Sequence, residues 1–320
     1  MIAKEGTMEK IYDIIIWGAS GFTGRLAVDY IYKNQGNSNL TWAVAGRNES
    51  KISEVLDGKD IPILIADSHD KESLVDLVKQ TKVILTTVGP YARYGSELVE
   101  ACAENGTHYC DLTGEVHWMR HMISKYQKTA KESGAKIVHT CGFDSIPSDI
   151  GVYFLQKNMR ELHGVNAKQI KYRTRGFSGG ASGGTVDSLM SMMEQAKKDS
   201  SILKIIANPY ALNDKHKGLD GPDKMSPYFD DDFDAWVGPF IMAGINTRVV
   251  RRTNELLDNI YGEDFEYNEG SITGKGPKGL IGATTSGMVT GGMAGMAAFS
   301  PTRSILKSFL PKPGEGPSEE

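Results

Sequence analysis

From Ile11 onward, short apolar runs alternate with amphipathic stretches, the pattern of buried parallel strands joined by helices. Strands are predicted over 12–17, 40–45, 61–66, 82–88, 108–112 and 136–140, and helices over 23–33, 50–56, 71–80, 96–104 and 116–133. Within 96–104, Leu98, Val99 and Cys102 recur at helical spacing and Gly106 supplies a stop. Right-handed crossovers between such units build an α/β fold, a Rossmann-type doubly wound parallel sheet.

After Thr140 the rhythm changes and a second α/β (α+β) domain is expected. Residues 141–151 read as a loop feeding a helix that runs to Met159, with Ser145 as its cap and Pro147 in the first turn. A strand follows over 168–175, then a glycine-rich stretch over 176–184 and a methionine-rich helix over 185–198. Residues 208–240 read as loop, with Asp230, Asp231, Asp232 and Asp234 as a solvated acidic cluster. The stretch from Gly279 to Thr302 is uncharged. It is long enough to cross a bilayer, but each of its glycines weakens a helix by about 1 kcal/mol relative to alanine, and Ser and Thr interrupt its apolar surface. It is therefore expected to lie buried against the second domain or flat on lipid. The boundaries predicted are 8–140 for the nucleotide domain, 141–302 for the second domain and 303–320 for a mobile tail.

Composition narrows the classes of function. A chain of 320 residues exceeds the size at which one core stops growing, which accords with two domains. With 40% hydrophobic and 24% charged residues and a mean hydropathy of -0.32, neither wholesale disorder nor a polytopic membrane protein fits. The net charge of -4 leaves no basic field to hold a phosphate backbone, so nucleic acid is not an expected partner. Cys102, Cys110 and Cys141 form neither a CxxC pair nor an even set, and the first residues carry no apolar run behind their lysines. Reduced thiols and a cytoplasmic location are expected.

The chemistry begins at the end of the first strand, where Gly18-Ala19-Ser20-Gly21-Phe22-Thr23-Gly24 runs into a helix. Gly18 permits the bend, Gly21 lets the backbone approach a pyrophosphate, and Gly24 lets the helix pack on the strand. The helix N-terminus presents N–H groups to phosphate, with the hydroxyls of Ser20 and Thr23 beside them. At the end of the second strand an acid would accept the ribose 2'-hydroxyl of NAD, but the chain reads Gly46-Arg47-Asn48. Arg47, with Asn48 and Lys51, fits a 2'-phosphate, so NADP(H) is the expected cofactor. Asp67 is placed to bond the adenine amino group, and Val88, Gly89 and Pro90 to line the nicotinamide half of the crevice. His108, His117, His121 and His139 show no metal-ligand spacing, and no metal is expected.

Taken in order, GASGFTG, AGR, TVGPYARYG, HYCDLTGE, CGFDSIPSD and LPKPGEGPSEE resemble the saccharopine dehydrogenase-like oxidoreductases, particularly the trans-acting enoyl reductases. The resemblance implies a Rossmann domain, a second α/β domain, NADP, and reduction of a carbon-carbon double bond in a lipid- or polyketide-linked acyl group. Members usually continue past the PGEGPSEE segment, so a C-terminally incomplete second domain is expected. Enoyl reduction needs a hydride at the β-carbon, a donor to the developing enolate oxygen and a proton for the α-carbon. Tyr91, Asp111, Thr113, Glu115, Asp144 and Ser145 lie in motifs placed for this, although the same carboxylates and serine would also cap helices. A saccharopine reductase-like imine reductase is the alternative, with Arg173, Arg175, Arg248, Arg251 and Arg252 available for substrate carboxylates. A non-catalytic NADP-binding protein held on a lipid surface by 279–302 is another. Expected partners are a small-molecule or carrier-linked acyl substrate, a peripheral lipid surface and a second copy in a homodimer.

Overall fold

The computed structural model describes residues 10–35, 39–143, 145–176, 182–298, 311 and 314–317. Its first half comprises β1 (Tyr12–Trp17), α1 (Phe22–Asn34), β2 (Trp42–Gly46), α2 (Glu49–Leu56), β3 (Ile63–Ile65), α3 (Lys71–Lys79), β4 (Thr81–Thr86), α4 (Tyr91–Tyr94), α5 (Ser96–Glu104), β5 (His108–Cys110), α6 (Val116–Ser133) and β6 (Ile137–Val138). The six strands form one sheet in the order β3-β2-β1-β4-β5-β6, and every pair is parallel. Consecutive strand residues point to opposite faces, and helices cover both. Thus Ile15, Trp17, Ala43 and Ala45 pack with Leu74, Leu98, Val99 and Tyr109 on one side. Ile16 and Val44 pack with Val28, Ile52 and Leu56 on the other.

Three strands end two residues earlier than the apolar pattern predicts, each for a local reason. At β4 the Thr86 hydroxyl accepts the Val88 N–H at 3.2 Å and the chain peels away. At β5 the Asp111 carboxylate accepts the Thr113 N–H at 3.0 Å and closes a turn. At β6 Thr140 adopts a left-handed φ of 59°, which no strand accommodates.

The second half comprises α7 (Ile146–His163), β7 (Gln169–Thr174), α8 (Gly183–Lys198), α9 (Ser201–Ala207), β8 (Tyr228–Asp230), β9 (Ala235–Gly238), α10 (Ala243–Leu256), β10 (Glu266–Gly274) and α11 (Gly276–Ala298). Its sheet runs β7-β10-β9-β8, with β10 parallel to β7 and antiparallel to β9. The structure corrects the reading of 208–240 as loop, because β8 and β9 form an antiparallel hairpin within it. Nor is the acidic cluster wholly solvated. Asp230 is buried, with Arg173 Nη2 at 2.7 Å and Lys171 Nζ at 3.0 Å, and a carboxylate so paired tolerates burial.

The uncharged stretch forms most of α11, while 299–302 lie outside the described residues. Ala283 is buried against Gly238 of β9, the Ser286 hydroxyl donates to Pro239 O at 3.0 Å, and Ile281, Met288 and Val289 face outward. Among the described residues no helix is long and apolar enough to cross a membrane. The tail also departs from expectation in part: Gly314 O accepts Arg25 Nη2 and Glu315 O accepts the Gly183 N–H, both at 2.9 Å, so this piece is docked rather than mobile.

Candidate active site

Parallel strands place all their carboxyl ends on one edge, so the residues after β1, β2, β4, β5 and β6 meet there. After β1, Gly18 has a φ of 92° and donates its N–H to Ala45 O at 2.9 Å. A Cβ on Gly24 would stand 2.1 Å from Gly18 O, so the helix can lie this close to the turn only with glycine there. A Cβ on Gly21 would meet nothing nearer than Gly18 O at 3.4 Å, which leaves its outer side open to an approaching group. Ala19 is buried and Ser20 exposed. No side chain caps α1 and its first turn holds no acid, so the Phe22 and Thr23 N–H groups and the helix dipole are available to an anion. These features fit a dinucleotide pyrophosphate.

Arg47 and Lys51 are both exposed beyond β2. Asn48 departs from its expected part: its Oδ1 accepts the Lys51 N–H at 3.0 Å and caps α2. Asp67 likewise spends one oxygen locally, accepting the His69 N–H at 2.9 Å. Beyond β4, Val88 lies against the turn, since a Cβ on Gly18 would be 2.4 Å from its Cγ2. Gly89 and Pro90 are joined by a cis peptide, and a Cβ on Gly89 would stand 3.2 Å from Ser188 Oγ, which sets α8 of the second domain beside this loop.

The structure sorts the candidate catalytic side chains. Glu115 is buried and accepts the N–H groups of Tyr91 at 2.8 Å and Ala92 at 3.0 Å; burial raises its carboxyl pKa. The Tyr91 hydroxyl donates to Thr86 O at 3.3 Å and accepts the Leu112 N–H at 3.4 Å, and burial pushes its pKa well up. These two groups hold the loops after β4 and β5 together. Thr113 is buried and its hydroxyl accepts the Glu115 N–H at 3.1 Å. Ser145 donates to Asn246 Oδ1 at 2.8 Å, Asn246 Nδ2 donates to Glu269 at 3.0 Å, and Tyr267 donates to the same carboxylate at 2.7 Å. That chain ties α7 to α10 and β10. Asp144 lies outside the described residues.

Asp111 has the richest surroundings. Its Oδ1 accepts the N–H groups of Thr113 and Thr140 at 3.0 Å each, while Oδ2 accepts the Tyr109 hydroxyl at 2.9 Å and meets His139 Nδ1 at 2.6 Å. The His139 ring is wedged edge-on against Trp118 and Tyr109, with centroids at 5.1 and 5.8 Å. It also lines a cavity of about 390 Å³ with Met119, Met122, Ile123, Cys141 and Ile150. Spacing gave no sign of His139, which follows Asp111 by 28 positions. Its position at the end of a predicted strand was the available signal.

The arginines offered to substrate carboxylates are largely committed. Arg173 pairs with Asp230, Arg248 with Asp223 and Arg251 with Asp220, while Arg252 donates to Leu212 O and Gln127. Arg175 is exposed. The imine-reductase alternative loses its main support.

Comparison with known proteins agrees with this geometry. Residues 14–138 match the saccharopine dehydrogenase NADP binding domain. A trans-acting enoyl reductase of Mycobacterium ulcerans (strain Agy99) is 34% identical over 98% of this chain and 78% of its own length. One from Mycobacterium tuberculosis (strain ATCC 25618 / H37Rv) is likewise 34% identical, over 98% of this chain and 78% of its own. A further protein of that strain, named provisionally for the same activity, is 38% identical over 96% of this chain and 77% of its own. The chain belongs to the trans-acting enoyl reductase family. As in that family's saccharopine dehydrogenase-type nucleotide domain, the cofactor is NADP(H) and the protein is an oxidoreductase.

Proposed function

We propose that this protein reduces a carbon-carbon double bond conjugated to the thioester of a carrier-linked, lipidic acyl substrate, at the expense of NADPH. The observation that carries the reading is the buried Asp111–His139 pair beside a mainly apolar cavity, on the sheet edge that also bears the glycine turn. In this reading 8–140 hold the cofactor and 141–302 cover it, a division supported by the six-stranded sheet lying within the first span and the four-stranded sheet within the second.

The N–H groups of the first turn of α1, with Ser20 and Thr23, would hold the pyrophosphate; Arg47 and Lys51 would hold the 2'-phosphate, and Val88 to Pro90 would line the nicotinamide end. When bound, NADPH would supply a hydride, one proton with two electrons, for the β-carbon. The remaining proton must come from the protein or water. Asp111 fixes the His139 ring through Nδ1, which leaves Nε2 as the proton donor to the α-carbon. Asp111 also accepts from the Thr113 and Thr140 N–H groups and the Tyr109 hydroxyl, which fix its carboxylate in place, so it serves as the orienter of the ring. Tyr91, Glu115 and Ser145 position the loops around this pair. Met119, Met122, Ile123 and Ile150 receive the acyl chain. The outward apolar residues of α11, Ile281, Met288 and Val289, favour contact with the lipid surface that such substrates frequent.

The test is NADPH oxidation by the purified chain across a panel of enoyl thioesters, imines and ketones, with product masses. Turnover of enoyl thioesters alone is expected. Turnover of imines or ketones without enoyl reduction overturns the reading. His139→Gln should slow turnover by about a hundredfold, with NADPH affinity unchanged.

A further inference from the structure

The glycine-rich tail segment has no part in the site described so far, yet three successive residues of it are fixed. Gly314 O accepts the Arg25 guanidinium at 2.9 Å. Glu315 O accepts the N–H of Gly183, the first residue of α8, at 2.9 Å. Gly316 lies flat on the Phe22 ring, where a Cβ would stand 2.4 to 2.5 Å from three ring carbons. Two of these contacts fall on α1 itself, one at its first residue and one a turn later. The third reaches α8, the helix whose Ser188 adjoins Gly89. The segment thus spans the two walls of the crevice at the end where the glycine turn opens.

We propose that Gly314–Gly316 is a strap that completes the pyrophosphate site: a cofactor-holding element supplied from outside the nucleotide domain. Phe22 sits between Gly21 and Thr23, so clamping its ring against Gly316 fixes the peptide plane that carries the first free N–H of the helix. The Arg25 side chain, exposed and without an acidic partner among the described residues, is drawn by Gly314 O along the start of α1, where its charge adds to the helix dipole. Glycine at 316 is required sterically, because any side chain would displace the ring. The contacts also explain why a carbonyl-rich, side-chain-poor sequence stands here. Two of the three bonds need only backbone oxygens, and the third needs the absence of a Cβ. This inference rests on the NADP(H) assignment and extends it to residues far from the dinucleotide motif.

The experiment titrates NADPH into wild type, Gly316→Val, Phe22→Ala and the double variant, read by ligand fluorescence, with thermal melting recorded without cofactor. Gly316→Val is expected to weaken binding by about tenfold or more while the cofactor-free melting temperature stays near wild type, and to have no added effect on top of Phe22→Ala. Arg25→Gln, an exposed change that cannot unfold the chain by cavity formation, is expected to weaken binding by about threefold to tenfold. If Gly316→Val unfolds, Arg25→Gln and Phe22→Ala decide alone. Wild-type affinity in the folded variants, or equal losses from Gly316→Val with and without the Phe22 ring, overturns the strap. Wild type failing to bind NADPH would instead overturn the cofactor assignment.

Discussion

The two sheets of this protein are stabilised by different means. The six-stranded sheet is sealed on both faces by aliphatic residues: Ile15, Ile16, Ala43, Val44 and Ile84 are fully buried. The four-stranded sheet rests on a small apolar cluster of Val152, Val250, Tyr261, Phe265 and Tyr267. Around it run buried polar links: Arg173 with Asp230, Arg251 with Asp220, Asn254 with Tyr261, and Glu269 with Asn246 and Tyr267. An aliphatic core tolerates small changes in shape, whereas a buried charge pair fails when either partner is lost. The nucleotide half thus leaves Arg47 and Lys51 exposed beyond β2, where a ligand can reach them, while the second half spends Arg173, Arg248 and Arg251 on holding the fold.

The sharpest way to break that contrast is Asp230→Ala. Arg173 would be left buried and unpaired, so urea unfolding should show a loss of about 3 to 5 kcal/mol. A loss below about 1 kcal/mol would mean that the second sheet does not depend on its ion pairs. Next in size is Arg47→Asp, which removes a charge-assisted phosphate contact worth about 1.5 to 3 kcal/mol. Titration should show NADPH affinity falling tenfold to a hundredfold in order of magnitude, NADH preferred, and stability unmoved. A stability loss would place Arg47 with the structural charges.

Asp149 offers a test in pH. It is half-buried beneath Thr253, whose hydroxyl donates to it at 3.0 Å, and its partial removal from water raises its carboxyl pKa to about 6. The folded state therefore holds this proton more tightly than the unfolded chain does. Its contribution to stability should rise as pH falls from above 6 toward 4 and level off below the unfolded value. Asp149→Asn mimics the protonated form and should stabilise the protein at pH near 7.5 by on the order of 2 kcal/mol, the gain vanishing near pH 4 in thermal melts. A gain that does not change with pH would assign the effect to something other than the carboxyl. Smallest of all, Ile15→Val should cost only about 1 kcal/mol in the apolar sheet, by the same urea measurement.

The unequal legibility of the two halves has the same origin. Helices 96–104 and 116–133 are readable to the residue because each carries an apolar stripe on one face. Helix α10 gave no such signal, since Asn246, Thr247, Arg248, Arg251 and Asn254 are all buried on it and a pattern of polar letters reads as surface. β10 was missed as well, because Asn268, Glu269 and Gly270 interrupt any apolar alternation.

By itself the sequence determined the six-strand order's local units, the glycine turn and the missing acid after β2, because each depends on neighbours within a few residues and on periodicities of two or 3.6. Tertiary structure alone decided which polar groups meet. Asp111 reaches His139 over 28 positions and Arg25 reaches Gly314 over 289, and neither spacing carries a periodic signal. A buried pair is specified by the closing of the chain on itself, and until that closure each partner is indistinguishable from a solvated residue.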